Sequence, residues 1–215
     1  MRTITDYKNA ALDALEGNWG KAVALTVVVY VVLLVPIYGL QIFCVLLSDS
    51  KEAELVGQLL GNVAAFLLLP LSWAYVVAFL RLLRRQEVGI DNLWDGFRQY
   101  LRIFTTMLLR GIYTFLWALL LIVPGIMKAY SYAMTDYILV DNPELSDDRA
   151  ISKSKEMMEG HRMDLFLLHL SFIGWALLAL LTCGLGFLLL YPYMETAQAA
   201  FYEDLKQEQQ TSLQE

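Results

Sequence analysis

From Ala22 to Leu47 the chain carries no charged side chain, and only Thr26, Tyr30, Tyr38 and Gln41 interrupt its apolar character. A bilayer core takes about 20 such residues as a helix, so this run alone is long enough to cross. Further apolar runs follow at Leu55–Leu80, Ile103–Val123, Ile126–Val140, Leu165–Thr182 and Leu185–Tyr202. Hydrocarbon offers backbone N–H and C=O groups no partner, and continuous rather than alternating runs point to helices as the way to satisfy them. Composition agrees: 58% hydrophobic against 18% charged residues lies outside the roughly 45–50% and about 25% of soluble domains. The expected fold is all-α, a polytopic transmembrane helical bundle of about six spans arranged as three helical hairpins, each preceded by a short amphipathic surface helix. Residues 1–205 form one transmembrane domain, and the polar tail 206–215 is expected to be disordered.

Local signals mark the short helices. Thr3 with Asp6 three residues later reads as a capping box, Ile4, Tyr7, Ala11 and Leu15 share one helical face, and Gly17 offers a stop. Asp91-Asn92 starts a second short segment bearing Trp94, Phe97 and Tyr100. Ser146 opens a third, with Asp147 and Asp148 in its first turn, an apolar face of Ala150, Ile151, Ser154, Met157 and Met158, and Gly160 as its stop. Pro124-Gly125 is the expected turn between the third and fourth spans. Ile126–Val140 reaches only about 23 Å at 1.5 Å per residue, so it either crosses with help from its flanks or is re-entrant. The first residues, MRTITDYKNAALDALEG, lack the apolar core and cleavage site of a secretory signal.

Sidedness follows from the basic residues. Of the 16, all but Lys51 and Lys128 fall on one side of a six-span arrangement, which places both termini in the cytoplasm. A four-span arrangement with one re-entrant hairpin gives the same result. Net charge of −6 says little here, because acids barely enter the rule. The expected location is the cell membrane.

Three stretches share a plan of amphipathic segment, glycine, span and a second span bearing a proline: 17–82 with Pro70, 96–140 with Pro124, and 160–205 with Pro192. They read as degenerate repeats, or as composition common to all membrane hairpins. On the repeat reading, Lys128 and Glu195 stand at equivalent levels and are expected to pair or to line one polar cavity; the alternative is that each snorkels outward. Ser131, Tyr132 and Thr135 share the face of Lys128, and Gln198 shares that of Glu195. His169, inside the fifth run, is a proton relay or, as the favoured reading, a histidine bonded to a neighbouring helix.

Motifs that would carry catalysis are missing: no P-loop, dinucleotide fingerprint, GxSxG or HExxH occurs. His161 and His169 lack ligand spacing, and Cys44 and Cys183 are too few and too far apart for a zinc site or disulfide framework. The expectation is no enzyme, cofactor or metal site, and no nucleic-acid partner. Membrane lipids, a membrane-protein partner or a second copy are the expected contacts.

The segments EGNWGKA from Glu16, LIVPGIMKAYSYAMTDYILVDNPELS from Leu121, AISKSKEMMEGHRMDLFLL from Ala150, LSFIGWALLALLTCGLG from Leu170 and PYMETAQAAFYEDL from Pro192 resemble the domain-of-unknown-function 975 family of bacterial integral membrane proteins. The resemblance covers about residues 8 to 205 and implies fold and location, with no activity or site residues to carry over. A more distant similarity to the membrane domain of some bacterial glycerophosphodiester phosphodiesterases implies an accessory or lipid-linked role by analogy. Two functions compete. A non-catalytic scaffold, assembly or envelope factor fits the absence of motifs, whereas a transporter or channel component fits the proline-broken spans and intramembrane polar residues. A cavity reaching Lys128, Glu195 or His169 would favour the second.

Overall fold

The computed structural model describes residues 2–48 and 50–212. In chain order the helices are α1 (Ile4–Leu15), α2 (Trp19–Leu47), α3 (Lys51–Leu67), α4 (Leu69–Leu83), a 3₁₀ turn at Ile90–Trp94, α5 (Asp95–Arg98), α6 (Tyr100–Leu120), α7 (Ile122–Ser131), α8 (Thr135–Asp141), α9 (Asp147–Met157), α10 (Arg162–Leu170), α11 (Ile173–Leu181) and α12 (Phe187–Ser212). No strand occurs among the described residues. Three stretches are long and apolar enough to cross a membrane: α2, α6, and Arg162–Leu181, in which α10 and α11 join. A fourth arises if α3 and α4, bent by 41° at Leu68, count as one span. Their outward side chains, among them Val35, Leu46, Leu119 and Leu181, are exposed, the kind of apolar surface that a membrane-crossing helix presents. The segments expected as the fourth and sixth spans are not among these stretches.

Local signals behave as their chemistry dictates. Thr3 and Asp6 form the capping box at α1, and Gly17 and Gly160 take φ of +74° and +86° at the stops. Of the expected surface helices, α1 packs against protein. It runs along α12, with the Tyr7 hydroxyl donating to Asp204 at 2.6 Å and Lys8 bonding the Ser171 carbonyl at 3.0 Å, and its apolar face of Tyr7, Ala11 and Leu15 is buried. The face of Ala150, Ile151, Ser154, Met157 and Met158 on α9 is likewise buried in protein. The C-terminal tail is corrected: α12 continues to Ser212. Its Lys, Glu and Gln residues are good helix formers, and Lys206 is anchored on Asp141. Residues 213–215 lie outside the described residues.

The turn between the third and fourth apolar runs lies three residues before its expected place. Leu121 is extended, at φ −158° and ψ 141°, and Pro124 falls in the first turn of α7, where its missing N–H costs nothing. Gly125 serves a close approach instead: a Cβ there would stand 2.6 Å from the Ala118 Cα. From that contact α7 and α8 run back along α6, through Trp117 against Lys128 and Arg110 against Asp136. The return ends where the Arg102 guanidinium donates to the carbonyls of Leu139, Asn142 and Leu145 at 3.4, 2.9 and 3.3 Å. Arg102 is thus a cap on the C-terminal end of α8, favoured by the helix dipole.

Candidate functional site

The helix that returns along α6 is broken in the middle. α7 stops at Ser131 and α8 starts at Thr135, leaving backbone groups between them without helical partners; each would cost about 1–3 kcal/mol if buried and unpaired. Other helices supply the partners. Ser154 of α9 donates its hydroxyl to the Ser131 carbonyl at 3.0 Å and accepts from the Met134 N–H at 3.1 Å. Trp73 of α4 adds its indole N–H to the carbonyl of Asp136, already within the first turn of α8, at 3.2 Å. So held, the break turns the Asp136 carboxylate into the interior, where the residue is 7% exposed.

Arg110 of α6 meets that carboxylate, Nη1 to Oδ2 at 2.7 Å. The other oxygen, Oδ1, is buried and has no hydrogen-bond partner among the described residues. The pair borders a cleft of about 630 Å³ between α4, α6, α7–α8 and α12, whose polar lining is completed by Thr114, Tyr132, Glu195 and Gln198 and whose walls include Val76, Met107 and Phe115. Glu195 stands three residues after Pro192 and is half-buried. Asp136 and Glu195 lie within each other's electrostatic field. Among the described residues Glu195 forms no ion pair or hydrogen bond, since the lone cation of the cleft, Arg110, is engaged with Asp136.

A polar path leaves the cleft through Gln198. Its Oε1 lies 3.0 Å from His169 Nε2, and His169 Nδ1 lies 3.3 Å from the Tyr130 hydroxyl. With the proton on Nε2 donated to Gln198, Nδ1 accepts from Tyr130, so one tautomer satisfies both contacts. The histidine is bonded to neighbouring helices on both sides. No group of three or more His, Cys, Asp or Glu that could hold a metal ion occurs among the described residues.

The residues expected as one intramembrane cluster separate into three groups. Tyr132, Glu195 and Gln198 line the cleft, and His169 reaches it through Gln198. Ser131 and Thr135 lie beside it, but their hydroxyls bond the carbonyls of Met127 and Tyr132, both at 2.8 Å. Lys128 is elsewhere. Its ammonium lies over the Trp117 ring, 4.6 Å from the centroid, in the field of Lys155 and Arg162, and among the described residues it makes no ion pair with Glu195. Lys155 and Arg162 were expected across the membrane from Lys128. They reach its level because α9 does not hang below the bundle but climbs beside α6 and α7, carrying Ser154 to the break.

Arg110 and Asp136 are the site residues that sequence reasoning passed over. Arg110 counts in the sequence as one of the basic residues that set sidedness, yet opposite charges in consecutive apolar runs are the signal for an internal pair. That signal was present in Ile103–Val123 and Ile126–Val140.

Outside the cleft, a second cluster ties the C-terminal ends of α4 and α8 to α12. Arg84 donates to both oxygens of Asp141 at 2.7 and 2.8 Å and to Glu203 at 2.6 Å, while Tyr202 and Lys206 donate to Asp141 at 2.9 and 2.5 Å. Burial would raise the Asp141 carboxyl, but these donors outweigh it and hold its pKa down at about 2. Arg84 is raised above its ordinary value mainly by its hydrogen bond to Asp141. Arg2 and Asp204 meet at the same end of α12.

Comparison with curated proteins and with solved structures gave no match. Residues 119–209 match a family model described as Protein of unknown function (DUF975); the matched stretch supplies Tyr132, Asp136, Glu195, Gln198 and His169, while Arg110 lies outside it. Over these residues, which hold the broken helix and the carboxylate-bearing side of the cleft, the chain is similar to that family.

Proposed function

We propose that this membrane protein works as a transporter or channel component whose solute path includes the cleft between α4, α6, α7–α8 and α12. One observation carries the reading: charged groups that a dry bundle would not tolerate border a cavity of about 630 Å³ beside an interrupted helix. Broken helices that present backbone and polar side chains to a cavity are the usual construction of membrane solute sites. The scaffold reading, favoured by the sequence, has no comparable feature to explain the cleft. No catalysis is assigned to it.

In this reading the chain lies in the cell membrane with both termini in the cytoplasm. The clustering of Arg2, Arg84 and Lys206 at one end of the molecule supports that sidedness. Six crossings would take α7–α8 and α12 as spans, and the return of α7–α8 along α6 from Gly125 to Asn142 supports the first. The test is flux of a panel of small ions and neutral solutes in vesicles reconstituted with the full chain, against protein-free vesicles and the Asp136→Asn variant. Flux above the protein-free rate that Asp136→Asn lowers at least tenfold supports the assignment. Rates no faster than protein-free vesicles for every solute return it to the scaffold.

A further inference from the structure

The charges of the cleft do not balance. Arg110 contributes one positive charge, and Asp136 and Glu195 contribute two carboxylates. Arg110 is committed to Asp136 at 2.7 Å, and the free oxygen of Asp136, on a side chain nine-tenths buried, faces no donor among the described residues. The groups near Glu195 are Tyr30 on α2, Tyr75 on α4, Arg110 on α6, Asp136 and Tyr137 on α8, and Tyr191 and Gln198 on α12 itself. Arg110 is the sole cation in that set, and Gln198 accepts from His169. An uncompensated carboxylate in such surroundings is costly enough to acquire a positive charge or a proton.

We infer that the cleft is a site for one monovalent cation, held between the Glu195 carboxylate and the free Asp136 oxygen, with Arg110 fixing Asp136 as the permanent half of the site. The ligand class is a single unit of positive charge, a proton or an alkali ion. A divalent ion would overcompensate the one-charge deficit, and no group of three or more His, Cys, Asp or Glu that could hold one occurs among the described residues. The inference deepens the transport reading, but it concerns occupancy rather than flux.

The experiment measures occupancy on the purified full chain. Melting temperature is followed in sodium, potassium and N-methylglucamine chloride at matched ionic strength, and the carboxylic-acid carbonyl band is followed by infrared difference spectroscopy from pH 5 to 8. An alkali-ion site gives a saturable rise in Tm on the order of 5 °C with the small cation but not with the bulky one. A proton site gives instead a carboxylic-acid band that titrates in that range. Either result must vanish in Glu195→Gln, and also in Asp136→Asn, which makes the cleft neutral by freeing Arg110 for Glu195. If wild type shows neither response, or if folded Glu195→Gln keeps the wild-type response, the proposal is overturned. Occupancy without vesicle flux would retain the site and discard the transport reading; flux without occupancy would do the reverse.

Discussion

Ser154 closes a gap that belongs to other residues. Its hydroxyl completes the backbone on both sides of the α7–α8 break, so its removal leaves two buried groups unpaired. Ser154→Ala should destabilise the protein by about 1–3 kcal/mol, whereas Ser152→Ala, on the exposed side of α9, should stay within about 0.5 kcal/mol; thermal unfolding of both in one detergent compares them. Asp141 gives a second prediction, in pH. Its folded pKa of about 2 lies below the unfolded value of 3.8, so its contribution is present above the unfolded pKa and is lost as pH falls from about 4 to about 2. The side chain is only 10% exposed, and the shift corresponds to roughly 2 kcal/mol. The stability gap between wild type and Asp141→Asn should therefore be full at pH 6 and shrink below pH 4; a gap independent of pH would show that the ion cluster contributes nothing through ionisation. On α1 burial lowers Lys8, whereas on α12 burial would raise Asp204 but the Tyr7 hydroxyl, the Arg2 N–H and nearby positive charge together hold it down.

Helix–helix approach is set by residues without side chains. A Cβ at Gly61 of α3 would stand 2.6 Å from the Ile37 carbonyl oxygen of α2, and one at Gly125 would meet Ala118 at the same distance. Gly61→Leu and Gly125→Leu should each cost on the order of 1–3 kcal/mol or more through overpacking. Gly111→Ala, with nothing within 4 Å of the added carbon, should be neutral or stabilising by up to about 1 kcal/mol. Denaturant titration in mixed micelles separates these outcomes. Elements were legible in the sequence where their cause is local: the Thr3–Asp6 box, the Gly160 stop and the apolar face of α9 all follow from neighbouring residues. The break at Tyr132–Met134 was not, because α9 and α4 hold it from far along the chain. The shifted turn has a similar origin. Pro124-Gly125 carries turn chemistry, yet the pair is used to start α7 and to seat it on α6.

On the scale of the whole molecule, an apolar exterior encloses a polar interior with two centres. The Asp141 cluster ties α4 and α8 to α12 and is fully paired, as a structural element should be. The Asp136–Glu195 cleft is under-paired and hollow. Counting basic residues misplaced Lys128 relative to Lys155 and Arg162, since charge counting treats every connector as a loop outside the bundle. The cleft itself was half legible: Glu195, Gln198 and Tyr132 could be named from helical spacing, and the Arg110–Asp136 pair was signalled by opposite charges in consecutive apolar runs, although its 2.7 Å contact was not. Whether water enters that cleft in a membrane decides between transport and scaffold. The most direct measurement replaces Cys44 and Cys183 by serine, introduces Thr114→Cys at the cleft wall or Val63→Cys on the exposed face of α3, and treats intact vesicles with a cationic, membrane-impermeant thiol reagent. A water-filled cleft gives rapid labelling of Thr114→Cys and none of Val63→Cys until detergent is added; protection of both alike in intact vesicles would contradict transport through it.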